Sequence, residues 1–118
     1  MNKKELKKKY IETIQPMGVY MVKNLSNSKI FIDSGLNLQG KINRCKFQLA
    51  NGSHGNKSLR DDYNKIGLDN FTFEIIDYLK PKDDIKTGYA DDLKLLEEMW
   101  IDKLQSFGER GYNNRKIV

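Results

Sequence analysis

The chain has 118 residues, 38% of them apolar and 31% charged, which suits one compact, soluble domain and leaves little room for a second. No apolar run approaches the roughly 20 residues that a membrane span needs, and no apolar signal core follows the charged N-terminus, so secretion is not expected. A single cysteine excludes an internal disulfide and has no zinc-type spacing. The expected compartment is therefore cytoplasmic, with no membrane and no disulfide partner. The formal charge is +5, from 21 basic and 16 acidic residues. Such a field favours polyanionic partners, because cations that meet phosphates release counterions.

In chain order, residues 3–14 carry the run Lys3-Lys4-Glu5-Leu6-Lys7-Lys8-Lys9. Leu6, Tyr10, Ile11 and Ile14 recur at helical spacing. The pattern predicts a basic N-terminal helical extension over residues 1–16, closed by Pro16, serving as a solvated face or a phosphate-contacting arm. Residues 17–23 are rich in strand formers, Asn24–Ser28 have a turn composition, and 29–34 form a second strand. A turn centred near Leu25–Ser26 sets Tyr20 opposite Phe31, with Asp33 on the same face.

A helix is predicted from Leu38 to Ala50, with Leu38, Ile42, Cys45 and Leu49 on one stripe flanked by Lys41, Arg44 and Lys46. The run Asn51-Gly52-Ser53-His54-Gly55-Asn56 ends it. A second helix runs from Lys57 to Ile66 and stops at Gly67. Residues 70–77 alternate as a third strand, Lys80–Tyr89 is a loop, and a last helix spans Ala90–Leu104. The order predicts an α+β domain over 17–114, with a three-stranded, mainly antiparallel sheet flanked by helices.

One residue of the last helix is out of place. At about 100° per residue, Leu93, Leu96, Trp100 and Leu104 form the buried stripe. Glu97 falls inside that stripe, whereas Glu98 falls outside. A carboxylate on a core face is costly unless it is paired or binds a metal, so Glu97 is either an edge residue with a polar partner or a functional carboxylate. His54, the only histidine, is an exposed loop residue or a proton acceptor near neutral pH. Cys45 reads as a small buried apolar residue.

Taken together these segments resemble the GIY-YIG nuclease family. Gly18-Val19-Tyr20 is similar to its first motif, and Phe31-Ile32-Asp33 stands at the spacing of its second. The middle section from His54 to Ile75, the Glu97-Glu98-Met99-Trp100-Ile101 segment and the terminal Gly111-Tyr112-Asn113 follow in the family's order. The resemblance covers about residues 17–114. It implies divalent-metal-dependent hydrolysis of a phosphodiester in nucleic acid, DNA ahead of RNA. Glu97 would hold Mg²⁺ or Mn²⁺, Tyr20 or His54 would orient the water, and Lys41 or Arg44 would steady the phosphate. Lys57, Arg60 and Asn113 would contact nucleic acid.

Three residues depart from the pattern. Phe31 lacks the hydroxyl of the second tyrosine, Asp33 puts a carboxylate where the family has glycine, and Lys41 replaces a bidentate arginine with a point charge. Two readings follow: a nuclease with an altered site, in which Asp33 adds a second metal ligand, or an inactive module that binds nucleic acid, a nucleotide or a protein.

Overall fold

The computed structural model describes residues 2–3, 15–81 and 88–114. The N-terminal extension predicted over 1–16 and most of the loop predicted over 80–89 lie outside the described residues. Three strands, β1 (Met17–Asn24), β2 (Ile30–Gly35) and β3 (Phe71–Leu79), form one sheet in the order β2-β1-β3 with both pairings antiparallel. Among the described residues, three α-helices flank it: α1 (Leu38–Asn51), α2 (Lys57–Ile66) and α3 (Ala90–Leu104). This is the α+β arrangement that the sequence predicts.

The strand β1 is central and buried along almost its whole length, because helices cover both faces of the sheet. On one face Tyr20 and Val22 pack with Leu38, Ile42, Cys45 and Leu49 of α1, Leu59 of α2 and Phe71 of β3. On the other, Met17 packs with Leu93 of α3, with Tyr89 and with Leu79. The helix ends are chemically specified. Asn37 caps α1 by accepting from Gly40 N, and Asn56 caps α2 by accepting from Leu59 N. Gly52 takes the left-handed conformation that ends α1.

Two register details differ from the sequence pattern. Tyr20 pairs with Asp33 and Val22 with Phe31, so the hairpin is displaced by two residues from the predicted pairing of Tyr20 with Phe31. A shift of two preserves the face of every side chain, and Asp33 stays beside Tyr20. In β3 the predicted alternation breaks at a bulge: Val19 pairs with Asp77 and Tyr20 with Ile75, leaving Ile76 extra. Asp77 and Leu79 are thereby turned toward α3, where the Asp77 Oδ2 accepts from Trp100 Nε1 at 2.8 Å. Gly18 lies beside this bulge with φ 156°, and a Cβ there would overlap the Asp77 carbonyl oxygen, so the motif glycine is required by the approach of β3.

The outer edge of β2 is covered by the C-terminal segment. Tyr112 N donates to Ile30 O at 2.9 Å. The Asn113 carboxamide imitates a strand, its Oδ1 accepting from Ile32 N and its Nδ2 donating to Ile32 O, both at 2.8 Å. An open strand edge is thus closed without a fourth strand. No helix among the described residues is long and apolar enough to cross a membrane.

Candidate active site

The site lies where α1, the hairpin and α3 converge on the edge strand. Successive residues of β2 point to opposite faces, so Asp33 turns toward Tyr20 and α1, and Ser34 turns toward α3. The Tyr20 hydroxyl donates to Asp33 Oδ2 at 2.9 Å, and Ser34 N donates to Asp33 Oδ1 at 2.9 Å. Lys41 Nζ stands 3.7 Å from Asp33 Oδ2. From the other side, Glu97 Oε1 accepts from Ser34 Oγ at 3.0 Å, which sets it beside the residue that follows Asp33.

A cavity of about 180 Å³ opens above this group, lined by Tyr20, Asp33, Lys41, Arg44, Cys45, Gln48 and His54. The spacing 41, 44, 45, 48 is one face of a helix, so α1 supplies four of its walls from a single stripe that overlaps its buried one at Cys45.

The electrostatics are consistent with a polar group held in partial burial. Burial pushes the Glu97 carboxyl up to about 7, and the neighbouring Asp33 adds to the shift; the Ser34 hydroxyl and Lys41 oppose it. Burial, followed by the Asp33 charge, drives the Tyr20 hydroxyl far above its ordinary value, so Tyr20 acts as a proton-bearing donor. Burial also raises the Cys45 thiol. It lowers the His54 imidazole.

His54 is buried, and the sequence alternative of an exposed loop side chain does not hold. Its Nδ1 accepts from Asn56 N at 3.0 Å. This bond assigns the proton of the neutral ring to Nε2. The group that His54 has to offer is accordingly an N–H donor, a correction to its predicted role as a proton acceptor.

Tyr20, Lys41, Arg44, Asp33 and His54 are therefore brought together, and Glu97 joins them from α3 through Ser34. Lys57 lines an adjoining cavity with Phe31 and His54. Arg60 and Asn113 also hold the protein's own main chain. Arg60 Nη1 donates to the His54 carbonyl at 2.8 Å and holds that loop. The Asn113 carboxamide is bonded to the β2 main chain and to Ser106 Oγ, so its predicted contact with nucleic acid gives way to closing the sheet edge. Lys46 flanks the helix stripe but lies over the Phe73 ring at 4.9 Å. Ser34 and Gln48 are additions that the sequence pattern does not single out. The helical spacing from Lys41 contains the signal for Gln48; nothing local in the sequence marks Ser34.

Among the described residues, no group of three or more His, Cys, Asp or Glu side chains is placed to hold a metal ion. Asp33, and Glu97 held on the adjoining Ser34, are the carboxylates that would be available to one. Partly buried carboxylates fit a hard divalent cation, and Mg²⁺ takes one or two carboxylates while keeping several waters.

No family model matches the sequence, and neither does the sequence of any curated protein. Solved structures do. The catalytic domain of homing endonuclease I-TevI superposes with a TM-score of 0.71 at 26% identity, covering 85% of this chain and 99% of that one. A mutant of the intron endonuclease I-TevI catalytic domain gives a TM-score of 0.69 at 25% identity, covering 84% of this chain and 93% of that one. This is the GIY-YIG nuclease fold. Within the GIY-YIG frame, the first-motif glycine admits the β3 bulge, the first-motif tyrosine meets Asp33, and the terminal Gly-Tyr-Asn seals β2. A Cβ at Gly111 would overlap the Ser106 main chain, which explains the glycine that opens that last motif.

Proposed function

We propose that this domain hydrolyses phosphodiester bonds in nucleic acid, with a divalent cation held by Glu97 and Asp33. The observation that carries this reading is a cavity walled by Asp33, Lys41, Arg44, Tyr20 and His54, with Glu97 held on the adjoining Ser34. Burial, with the Asp33 charge adding to it, keeps the proton on Glu97 to about pH 7. With a divalent cation bound, Glu97 and Asp33 would both stand as carboxylates. When bound, it supplies stabilisation of charge on the phosphate and the leaving oxygen.

The chain's own residues do the rest. Tyr20 and the Ser34 main chain fix both oxygens of Asp33, and Ser34 Oγ fixes Glu97, so the donor set is oriented in advance. Lys41 and Arg44 bring positive charge to the phosphate. His54 donates from Nε2 to a phosphate or leaving oxygen, held in place by Asn56 and by Arg60 on its carbonyl. Asp33 compensates in this scheme for the hydroxyl that Phe31 lacks, since a carboxylate fixed by Tyr20 stands in the same cavity. The I-TevI neighbours are endonucleases, which supports DNA as the first substrate to try.

One feature favours a second reading, a binding module without turnover: Asp33 already pairs with Lys41 and adds negative charge where a phosphate would sit. Cleavage of plasmid and single-stranded DNA with Mg²⁺ or Mn²⁺ separates the two. Hydrolysis predicts activity in the native chain that falls at least about 100-fold in Glu97→Ala with the melting temperature retained. Equal cleavage by both chains would overturn it. Silence from the native chain, with activity in a Phe31→Tyr/Asp33→Gly double variant, would establish the binding module.

A further inference from the structure

The cavity of about 180 Å³ has room for a phosphate group and a few waters, but not for a nucleoside. Beside it lies a larger one, about 620 Å³, lined by Phe31, Gln48, His54, Lys57, Ser58 and Asn114 among others. The two share Asp33, Gln48 and His54, so they adjoin. The larger has the volume of a small-molecule site, roughly 300–1,000 Å³.

Its walls have a distinct chemistry. Phe31 and His54 meet with ring centroids 5.5 Å apart and planes at 82°, which makes an aromatic corner. A planar group lying on one ring presents its edge to the other. Around the corner stand polar side chains that donate and accept hydrogen bonds, Gln48, Ser58 and Asn114, with the Lys57 cation among them. An aromatic surface, edge-reading amides and a cation within reach of a phosphate site are the elements that bind an unstacked base.

We propose that this compartment is a nucleobase subsite, and that the domain engages a strand whose base next to the bound phosphate is unpaired. A base inside an intact duplex has both faces stacked and cannot enter such a corner without being extruded, which costs unstacking energy. Single-stranded or locally opened nucleic acid avoids that cost. Phe31 is the determinant: the position has an apolar ring, and the stack needs only its face. The inference rests on the reading of the smaller cavity as a phosphate site, and it adds the form of nucleic acid that the site takes.

The test is binding in EDTA, where no hydrolysis intervenes, by fluorescence anisotropy of three probes of equal length: a single-stranded oligonucleotide, its duplex, and an abasic strand with the same phosphates. The native chain is expected to bind the single strand about 10-fold more tightly than the abasic strand, the scale of one stacked base, and more tightly than the duplex. Phe31→Leu, which keeps an apolar side chain in the core but removes the ring, binds single and abasic strands alike; Phe31→Tyr retains the preference. Equal affinity of the native chain for single and abasic strands, a preference that persists in Phe31→Leu, or no binding of any probe would overturn the proposal. Failure of the hydrolase reading is separable from these results: base-dependent binding in EDTA without cleavage in Mg²⁺ removes the turnover and leaves the subsite, whereas cleavage without base dependence does the reverse.

Discussion

Two tyrosine–aspartate pairs hold this domain together at different places, and they are not equivalent. Tyr112 donates to Asp62 at 2.6 Å and accepts from the buried Asn24 at 3.0 Å; burial, then the Asp62 bond, pushes its hydroxyl up to about 12. Asn24 Oδ1 is in turn taken by Ser26 N, and the result is a lock between the C-terminal segment, α2 and the hairpin. Tyr20 donates to Asp33 at 2.9 Å, but there the carboxylate also faces Lys41, a second carboxyl and an open cavity. A closed hydrogen-bond network rigidifies. A carboxylate left beside a cation and an open cavity is instead arranged for something else to complete it.

That contrast is breakable by matched substitutions. Tyr20→Phe removes the donor that fixes Asp33, and the expected result is a loss of Mg²⁺-dependent cleavage of about 10- to 100-fold, the range for a mispositioned supporting group, with little change in the denaturation midpoint. A loss of folding with no separate effect on turnover per folded molecule would make the two pairs alike. Tyr112→Phe should do the opposite. It leaves Asn24 and Asp62 short of a partner, and urea denaturation should register about 1–3 kcal/mol of lost stability, with turnover unchanged once the protein is folded.

A pH dependence is expected as well. Glu97 ionises near 4.5 in the unfolded chain and about 7 in the folded one, so between those values the folded state holds a proton that the unfolded state has released. The folded state is therefore favoured by Glu97 protonation at low pH, and this contribution is lost as pH rises through 7. In denaturation curves taken between pH 4 and pH 8, the native chain should lose stability relative to Glu97→Gln across this window. A constant difference between the two would mean that Glu97 is not held protonated by its surroundings.

Much of this domain is written locally. The apolar stripe of Leu38, Ile42, Cys45 and Leu49 and the breakers at Gly52 and Gly67 mark α1 and α2 to within a residue of where they lie. The helical position of Glu97 among Leu93, Leu96 and Trp100 marks it as anomalous before any neighbour is known. The alternation in β1 and β2 assigns Tyr20, Phe31 and Asp33 to one face, and it survives the displacement of the hairpin because face depends on parity alone.

What the chain pattern leaves open are matters of distance between segments. Whether Tyr20 faces Phe31 or Asp33 is set by a turn in which Asn24 accepts from Ser26 N and Asn27 accepts from Lys29 N, a detail of turn chemistry that composition does not resolve. The β3 bulge, with Ile76 extra, is produced by pairing, and it turns Asp77 toward Trp100. The partner that Glu97 needed is Ser34, 63 residues away in the chain, and its companion acid is Asp33. Asn113 acts as a strand edge only because β2 ends the sheet. The sequence by itself determined the helices, the faces and the anomalous carboxylate, because periodicity and capping act over a few residues. The tertiary structure alone decided the bond of Ser34 to Glu97, the proton on His54 and the cleft between Tyr20 and Phe31, because each depends on side chains that only folding brings within hydrogen-bond range.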